Sequence, residues 1–307
     1  MKIVIAGSGA MGCFLGSKLY EQGNEVLLVD NWVDHVKTIQ EKGLEIIDDN
    51  GSHVDLIKSS LPKESKGEFD LLIILTKAMQ TTDMMKSCQH LINENTYILT
   101  LQNGLGNIDI LEKFVPREKL IAGVTTFGSN LLGPGKIKSL GSGIIQMMQI
   151  DGIDSPMLNN INKAFTDANI DCTICDDVMK SIWTKVTINC VLNPLCSVMG
   201  TTISDISKYE GIQDLYDNLI SEIIAVAKAE NILLDEEKIK SMLTDLFNPS
   251  VCGNHIPSML QDIQNGRETE IEFLNGTIIK LGKKHNIITP SNNQIYHLVK
   301  ILEKKAS

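Results

Sequence analysis

The sequence has no long apolar run, a shortage of positive charge and no paired set of cysteines. No stretch approaches the ~20 apolar residues of a membrane span, so no membrane partner is expected. Lys and Arg number 28 against 38 Asp and Glu, a formal net charge of −10. That balance speaks against a nucleic-acid partner, which would want a basic face. It also requires any anionic ligand to be met by locally placed cations. Seven cysteines run from Cys13 to Cys252, an odd and scattered set that speaks against a disulfide framework. Cys172 and Cys175 form a C-x-x-C pair, but no second pair and no histidine cluster accompany it. On a strand, positions three apart face opposite sides, which suits neither zinc nor a redox disulfide, and no metal is expected. Internal repeats and low-complexity tracts are missing too. Met1-Lys2 runs straight into the strand-like "IVIAG" with no cleavage site, so no signal peptide and a cytoplasmic location are expected.

What is present fits an ordinary globular protein of 307 residues, with 43% hydrophobic and 21% charged residues. That length accommodates two domains with sizeable cores. Short apolar runs alternate with helical patterns at first: "KIVIAG", a helix from Met11 to Gln22, "EVLLVD", a helix over Val33 to Lys42, "DLLIILT", a helix from Gln80 to Leu91, and "TYILTLQ". Strands alternating with helices predict parallel β-α-β units, and the unbroken "LLIIL" and "VLLV" predict strands buried on both faces. The Gly- and Thr-rich stretch from Ile121 to Ile150 reads as further strands and turns. Beyond "DDVMKSIW" the periodicity is helical: Val178 to Met199, Gly211 to Glu230, Asp235 to Leu246, Ser258 to Asn265, Thr269 to His285 and Ser291 to Lys304. Asp235 and Ser291 are expected helix caps. The domain boundary is expected between Asp171 and Asp177, giving domains 1–173 and 174–307.

"GSGAMG", residues 7 to 12, follows the first strand and opens a helix. Gly7 permits the tight turn, Gly9 a close backbone approach to a pyrophosphate, and Gly12 close helix–strand packing. Ser8, Ala10 and Met11 fill the turn, and the helix N-terminus offers its amides to phosphate. The second strand ends at Asp30, where a carboxylate can accept hydrogen bonds from a ribose. This pattern predicts a bound dinucleotide. Two further strands end near Lys77 and Asn103, at the sheet edge where such ligands lie. Lys77 also fits a solvated surface lysine, and Asn103-Gly104 also fits plain turn chemistry.

The run "WTKVTINCVLNPLCSVMG", from Trp183 to Gly200, carries Lys185, Asn189 and Asn193 at intervals of four in an otherwise apolar helix. Such residues share one helix face, and the apolar remainder predicts that this face meets protein. Buried without partners, an ammonium and two amides would cost several kcal/mol, so something polar is expected opposite them. A structural polar network, or a lysine that snorkels to water, satisfies the same pattern.

"IVIAGSGAMG", "LTKAMQT", "LQNGLG", "WTKVTINCVLNPL" and "SMLQDIQNGRETEIEFLNG" together resemble the ketopantoate reductase (2-dehydropantoate 2-reductase) family, in order, in rough spacing and over nearly the whole chain. The resemblance implies an α/β fold with an N-terminal Rossmann-type parallel-sheet domain and an all-helical C-terminal domain, 6-phosphogluconate dehydrogenase-like, with the active site between them. It implies reduction of 2-dehydropantoate to pantoate by a nicotinamide cofactor, on the route to pantothenate and coenzyme A. By this resemblance Lys185 is the proton donor, with Glu270 placed to orient it, and Asn189, Asn193 and Ser258 hold the substrate. Lys77, Asn103, Ser129 and Glu270 fall where members contact the cofactor or line the cleft, Asn103 on the substrate side as well. Ser258 also fits a helix N-cap.

The chain departs from the family in two places. Many members place an Arg after the second strand to meet the 2′-phosphate of NADPH; here Asp30 and Asn31 stand there, and the next basic residue is Lys37. An Asp at that strand end suits NADH, while Lys77 could compensate for NADPH. Thr201 and Thr202 occupy the region where some members carry another substrate-binding Asn. Two other readings compete: a reductase of another 2- or 3-oxo acid, as in the β-hydroxyacid dehydrogenases with their K-x-x-x-N helix, and a nicotinamide-nucleotide sensor without catalysis. A sensor has no use for Lys185 and Glu270 converging on one site. The expected partner is a small-molecule 2-oxo acid; a homodimer is compatible with the sequence, which does not fix oligomeric state.

Overall fold

The computed structural model describes residues 1–49, 51–248, 251 and 255–306. The chain divides into two compact units, residues 1–102 with 107–178, and residues 103–106 with 179 onward. In the first unit β1 (Lys2–Ala6), α1 (Ala10–Glu21), β2 (Glu25–Val29) and α2 (Val33–Lys42) come first. Then follow β3 (Leu44–Asp48), β4 (Gly51–Asp55), β5 (Lys58–Ser60), β6 (Leu71–Ile74), α3 (Thr81–Cys88) and β7 (Tyr97–Thr100). After these come α4 (Asn107–Leu111), β8 (Leu120–Thr125), β9 (Gly128–Gly133), β10 (Lys136–Leu140), β11 (Ile144–Gln149), α5 (Pro156–Asp167) and β12 (Asp171–Ile174).

The main sheet has the order β12-β11-β8-β7-β6-β1-β2-β5. Every neighbouring pair from β5 to β8 is parallel, and β11 turns antiparallel to β8. The unbroken apolar runs have their predicted cause: β6 is buried at every position. Along β1, Ile3 and Ile5 enter the core with Phe14, Leu15 and Leu19 of α1, while Val4 and Ala6 enter the opposite core with Met84 and Met85 of α3. A period of two with both faces covered leaves no polar position to alternate with. A smaller sheet, β4-β3-β10-β9, takes up part of the Gly-rich stretch. The helix expected from Gln80 to Leu91 is shorter than predicted, flanked by 3-10 turns at Ala78–Gln80 and Gln89–Leu91.

The second unit is built from α6 (Val178–Met199), α7 (Ile203–Ile206), α8 (Ile212–Ala229), α9 (Glu236–Phe247), α10 (Ser258–Gln264), α11 (Asn275–Lys284) and α12 (Pro290–Ala306). Asp235 caps α9, its carboxylate accepting the Lys238 N–H. Ser291 does not cap its helix. Pro290 begins α12, the position where a missing N–H costs nothing. The amides of Ser291 and Asn292 donate to the Glu222 carboxylate of α8 at 2.8 and 3.0 Å, so a charge from another helix does the capping. The single helix expected from Thr269 to His285 is also corrected. A 3-10 turn at Ile271–Phe273 precedes α11, and Leu274 between them has φ −106° and ψ −108°, outside the helical region. The six described cysteines are free, with Cys172 buried on β12 and Cys175 just past its end. Cys252 lies outside the described residues. Among those residues, no helix is long and apolar enough to cross a membrane.

Candidate active site

The first unit brings one set of predicted residues to one sheet edge. Ala6 pairs with Val29 on one side and Ile74 on the other, and Ile74 with Thr100, so the carboxyl ends of four parallel strands are level. The chain winds away from β1 in both directions, which puts the glycine turn at the point where strand order reverses. Open parallel sheets bind ligands there.

The three glycines have separable physical reasons. Gly7 has φ +100°, and a Cβ on it would stand 2.4 Å from the Thr76 nitrogen. On Gly12 a Cβ would stand 2.1 Å from the Gly7 carbonyl oxygen. Both are required by the fold itself. Gly9 is not: its φ is −64°, and a Cβ there would meet nothing within 4 Å. It stands at the N-cap of α1 with no side chain over the first-turn amides, leaving open space where an anion could approach. Ala10 and Met11 are half-buried beside it. The Ser8 hydroxyl is buried without a partner among the described residues. Its carbonyl accepts a hydrogen bond from the Cys13 thiol at 3.0 Å. Burial first, and the Asp30 charge second, hold that thiol well above its ordinary range, so it remains a donor. These features fit a dinucleotide.

Asp30 follows β2 directly, and one carboxylate oxygen accepts the Trp32 N–H at 3.0 Å. Asn31 and Lys37 are exposed. Trp32, 40% exposed, stacks on His35 with centroids 5.2 Å apart. Lys77 leads the 3-10 turn after β6 and is half-buried. That loop is braced by Gln102, whose amide donates to the Thr76 carbonyl and the Thr81 hydroxyl, each at 2.8 Å. Motif spacing gave no sign of Gln102 or Cys13 as braces, because both act through backbone carbonyls or loop hydroxyls. Ser129 lies on β9 of the smaller sheet, its hydroxyl donating to the Lys138 carbonyl at 3.3 Å. A cavity of about 620 Å³ in this unit, lined by Phe14, Lys18, Phe127 and Asp171 among others, includes none of the predicted residues.

In the second unit, α6 is flanked by two apolar cores. Trp183, Val186 and Cys190 enter one; Ile188, Val191, Leu192 and Leu195 enter the other. Lys185, Asn189 and Asn193 are left half-buried, with Ser181 one turn earlier on the same stripe. The sequence predicted a stripe facing protein; it is a partly open strip in a buried helix. Burial pushes the Lys185 ammonium down to about 8, against the upward pull of the Glu270 carboxylate. The surrounding protein matter desolvates this ammonium even though the residue retains some exposed surface.

Glu270 is 7% exposed, next to Thr269 and Ile271, which are buried still deeper. The Thr269 amide and hydroxyl donate to Glu303 of α12 at 2.9 and 2.6 Å, which fixes the turn that carries Glu270. Asn103 to Gly106 fold with this unit. Gly104 has φ +89° and would set a Cβ 2.6 Å from the Phe273 carbonyl oxygen, while the Leu105 amide donates to that oxygen at 2.8 Å. Ser258 is exposed at the first position of α10, and Pro257 holds the N-cap position, so Ser258 is not the cap of this helix. Thr202 caps α7, its hydroxyl accepting the Asp205 N–H at 3.1 Å.

The ketopantoate reductase PanE/ApbA family matches residues 3–152, and its C-terminal counterpart matches residues 177–303. The chain is 35% identical to a 2-dehydropantoate 2-reductase of Lactococcus lactis subsp. lactis over 97% of each protein. It is similar to a D-mandelate dehydrogenase solved with NADH and anilino(oxo)acetate, with a TM-score of 0.96, 35% identity, and coverage of 100% and 99% of the two chains. A PanE/ApbA family ketopantoate reductase from Ralstonia eutropha JMP134 gives a TM-score of 0.91 at 26% identity, covering 100% and 99%. The glycine turn at the strand-order reversal, the lysine–asparagine stripe and these matches agree over both units: the chain belongs to the ketopantoate reductase PanE/ApbA family.

Proposed function

We propose that the protein reduces 2-dehydropantoate to pantoate with a nicotinamide cofactor, a step toward pantothenate and coenzyme A. The observation that carries this reading is Lys185: a desolvated ammonium at about 8, coupled to Glu270 and standing in line with two amides. Residues 1–173 serve the dinucleotide and residues 174–307 the oxo acid. Gly7 to Gly12 hold the pyrophosphate, Asp30 and Asn31 the ribose, and Lys77, Asn103, Ser129 and Glu270 serve the remaining cofactor contacts. When bound, the nicotinamide supplies a hydride to the carbonyl carbon. Lys185 then faces the negative charge that develops on oxygen and donates its proton there. Glu270 keeps the ammonium charged against its desolvation. Asn189 and Asn193 receive the substrate hydroxyl or carboxylate, and Asn103 and Ser258 are assigned the same role.

The similarity to NADH-bound D-mandelate dehydrogenases favours a second reading, reduction of another 2-oxo acid. Oxidation of NADH and NADPH, assayed with ketopantoate and a panel of 2-oxo acids, separates the two: the larger kcat/KM identifies the substrate. No turnover with any oxo acid leaves only the sensor.

In that assay NADH should serve at least as well as NADPH, because Asp30 repels a 2′-phosphate and no Arg follows it. Asp30→Ala with Asn31→Arg should move the preference toward NADPH by removing repulsion and adding a phosphate fork. A more than tenfold wild-type preference for NADPH overturns the expectation. On the substrate side, Ser258→Ala should raise KM for ketopantoate and leave cofactor affinity nearly unchanged. An unchanged KM removes Ser258 from the substrate site.

A further inference from the structure

Pro194 lies inside α6. A proline has no N–H to close the helical bond on the carbonyl four residues back, and its ring crowds that carbonyl. Here the carbonyl is that of Cys190, a residue with no exposed surface, so water does not serve as its partner. The donor comes from elsewhere in the chain. Asn275, the first residue of α11, gives one hydrogen of its side-chain amide to the Cys190 carbonyl at 3.0 Å and the other to Asn292 Oδ1 at 2.9 Å. Both acceptors need a donor, which fixes the orientation of this amide. Asn292 in turn donates to the Glu222 carboxylate at 2.8 Å and to the Leu219 carbonyl at 3.3 Å. Asn275 and Asn292 are wholly buried. A single polar chain thus ties α6 at its proline to α11, α12 and α8.

The place matters more than the bond count. Asn189 immediately precedes Cys190, and Asn193 immediately precedes Pro194. The turn deprived of its own hydrogen bond is therefore the turn that separates the two stripe amides. With an ordinary residue at 194 that turn would close on itself, at regular helical geometry. With proline its carbonyl is pushed off the helical path, and a partner outside the helix sets where it comes to rest. Among the described residues the Asn275 Oδ1 atom is buried without a partner, a cost accepted while both hydrogens of the amide are used.

We propose that Asn275 is a positioning residue for the oxo-acid site: it replaces the donor that Pro194 removes and so fixes the spacing and direction of Asn189 and Asn193. Asn275 itself, without exposed surface, touches no substrate. This inference rests on reading the Lys185–Asn189–Asn193 stripe as the oxo-acid site.

The test is a double-mutant cycle of Pro194→Ala and Asn275→Ala, with Asn275→Asp as a shape control. Melting temperature, kcat and KM for ketopantoate, and NADH affinity are measured on each protein. Asn275→Ala should lower Tm by about 5 °C or more when Pro194 is kept. In the Pro194→Ala background the loss should fall to about half or less, since the new N–H can reach Cys190. Asn275→Asp should be no better than alanine, because a carboxylate keeps the shape and loses the donor. Pro194→Ala alone should hold Tm yet raise KM for ketopantoate about fivefold or more, with NADH affinity within about twofold. Should Asn275→Ala yield no folded protein, recovery of folded protein in the double variant is the same expected result.

Equal losses of Tm in both backgrounds overturn the clamp. An unchanged KM in Pro194→Ala overturns the positioning role. If the wild type turns over no oxo acid, the reading of the stripe falls and the positioning role with it, while the melting data still judge the clamp by itself.

Discussion

Lys185→Ala should lower kcat for the oxo acid by ~10²-fold or more, a loss of roughly 3 kcal/mol of transition-state stabilisation. The developing alkoxide loses both its proton source and its nearest positive charge. Cofactor affinity should change little, because the phosphates are assigned to the glycine turn of the other unit. Stability should hold or rise. The folded-state pKa of about 8 lies below the ordinary 10.5, so between those values the folded chain binds fewer protons than the unfolded one. The ammonium therefore costs stability that is fully felt below pH 8 and disappears as pH rises through 10.5, about 3 kcal/mol at most. A purely structural lysine predicts the reverse: a clear fall in Tm and near-normal kcat in the folded fraction. Measuring both quantities on one preparation decides the matter. The same pKa sets the pH profile. Reduction needs Lys185 charged, so kcat/KM should fall tenfold per unit above about pH 8, and a flat profile to pH 10 would remove Lys185 as the acid.

Two alanine substitutions in one turn should fail in different ways. Gly12→Ala drives a Cβ to 2.1 Å from the Gly7 carbonyl oxygen, a clash with backbone that no rotamer relieves. A loss of ~3 kcal/mol or more of stability is expected, and cofactor binding falls with the distorted turn. Gly9→Ala meets nothing within 4 Å and adopts an ordinary φ, so Tm should stay put or rise slightly. Its methyl nevertheless enters the space assigned to the pyrophosphate, and the Kd for NADH should rise at least about tenfold. Calorimetry for stability and titration for affinity give four numbers. Unchanged affinity in Gly9→Ala would mean that the dinucleotide does not lie on this turn.

Much of the fold was legible because its signals are local. Period and length alone marked the buried parallel strands and the span of α6, and "GSGAMG" announced its own context. The misses share a cause: in each, a distant side chain does what sequence reasoning assigns to a neighbour. Ser291 looked like a cap because a hydroxyl near a helix start usually is one; Glu222, remote in sequence, caps that helix instead. Ser258 looked like a cap for the same reason and lies one position inside α10. The stripe on α6 was visible from its spacing, but its half-open setting was not. Apolar residues all round the helix imply burial, and only the assembled cores show which strip they leave uncovered. Glu303 gave no signal, and Asn275 stood in a quoted motif with no role read for it, since each works through a partner far away in the chain.

Leu105 sits in the apolar core of the helical unit, among Trp183, Ile223 and Ile278, although the segments before Asn103 and after Gly106 belong to the sheet unit. The polypeptide thus enters the helical unit, leaves it, and returns only after Val178. No single cut yields two complete halves. A fragment starting at residue 179 would lack the Leu105 side chain and leave the Phe273 carbonyl without its donor, so it should fold poorly alone and improve when a peptide spanning 103–106 is supplied. On the ribosome the order is the opposite hardship: Leu105 emerges long before the helices that enclose it. The residues that enclose it, Trp183, Ile223 and Ile278 among them, are made only later.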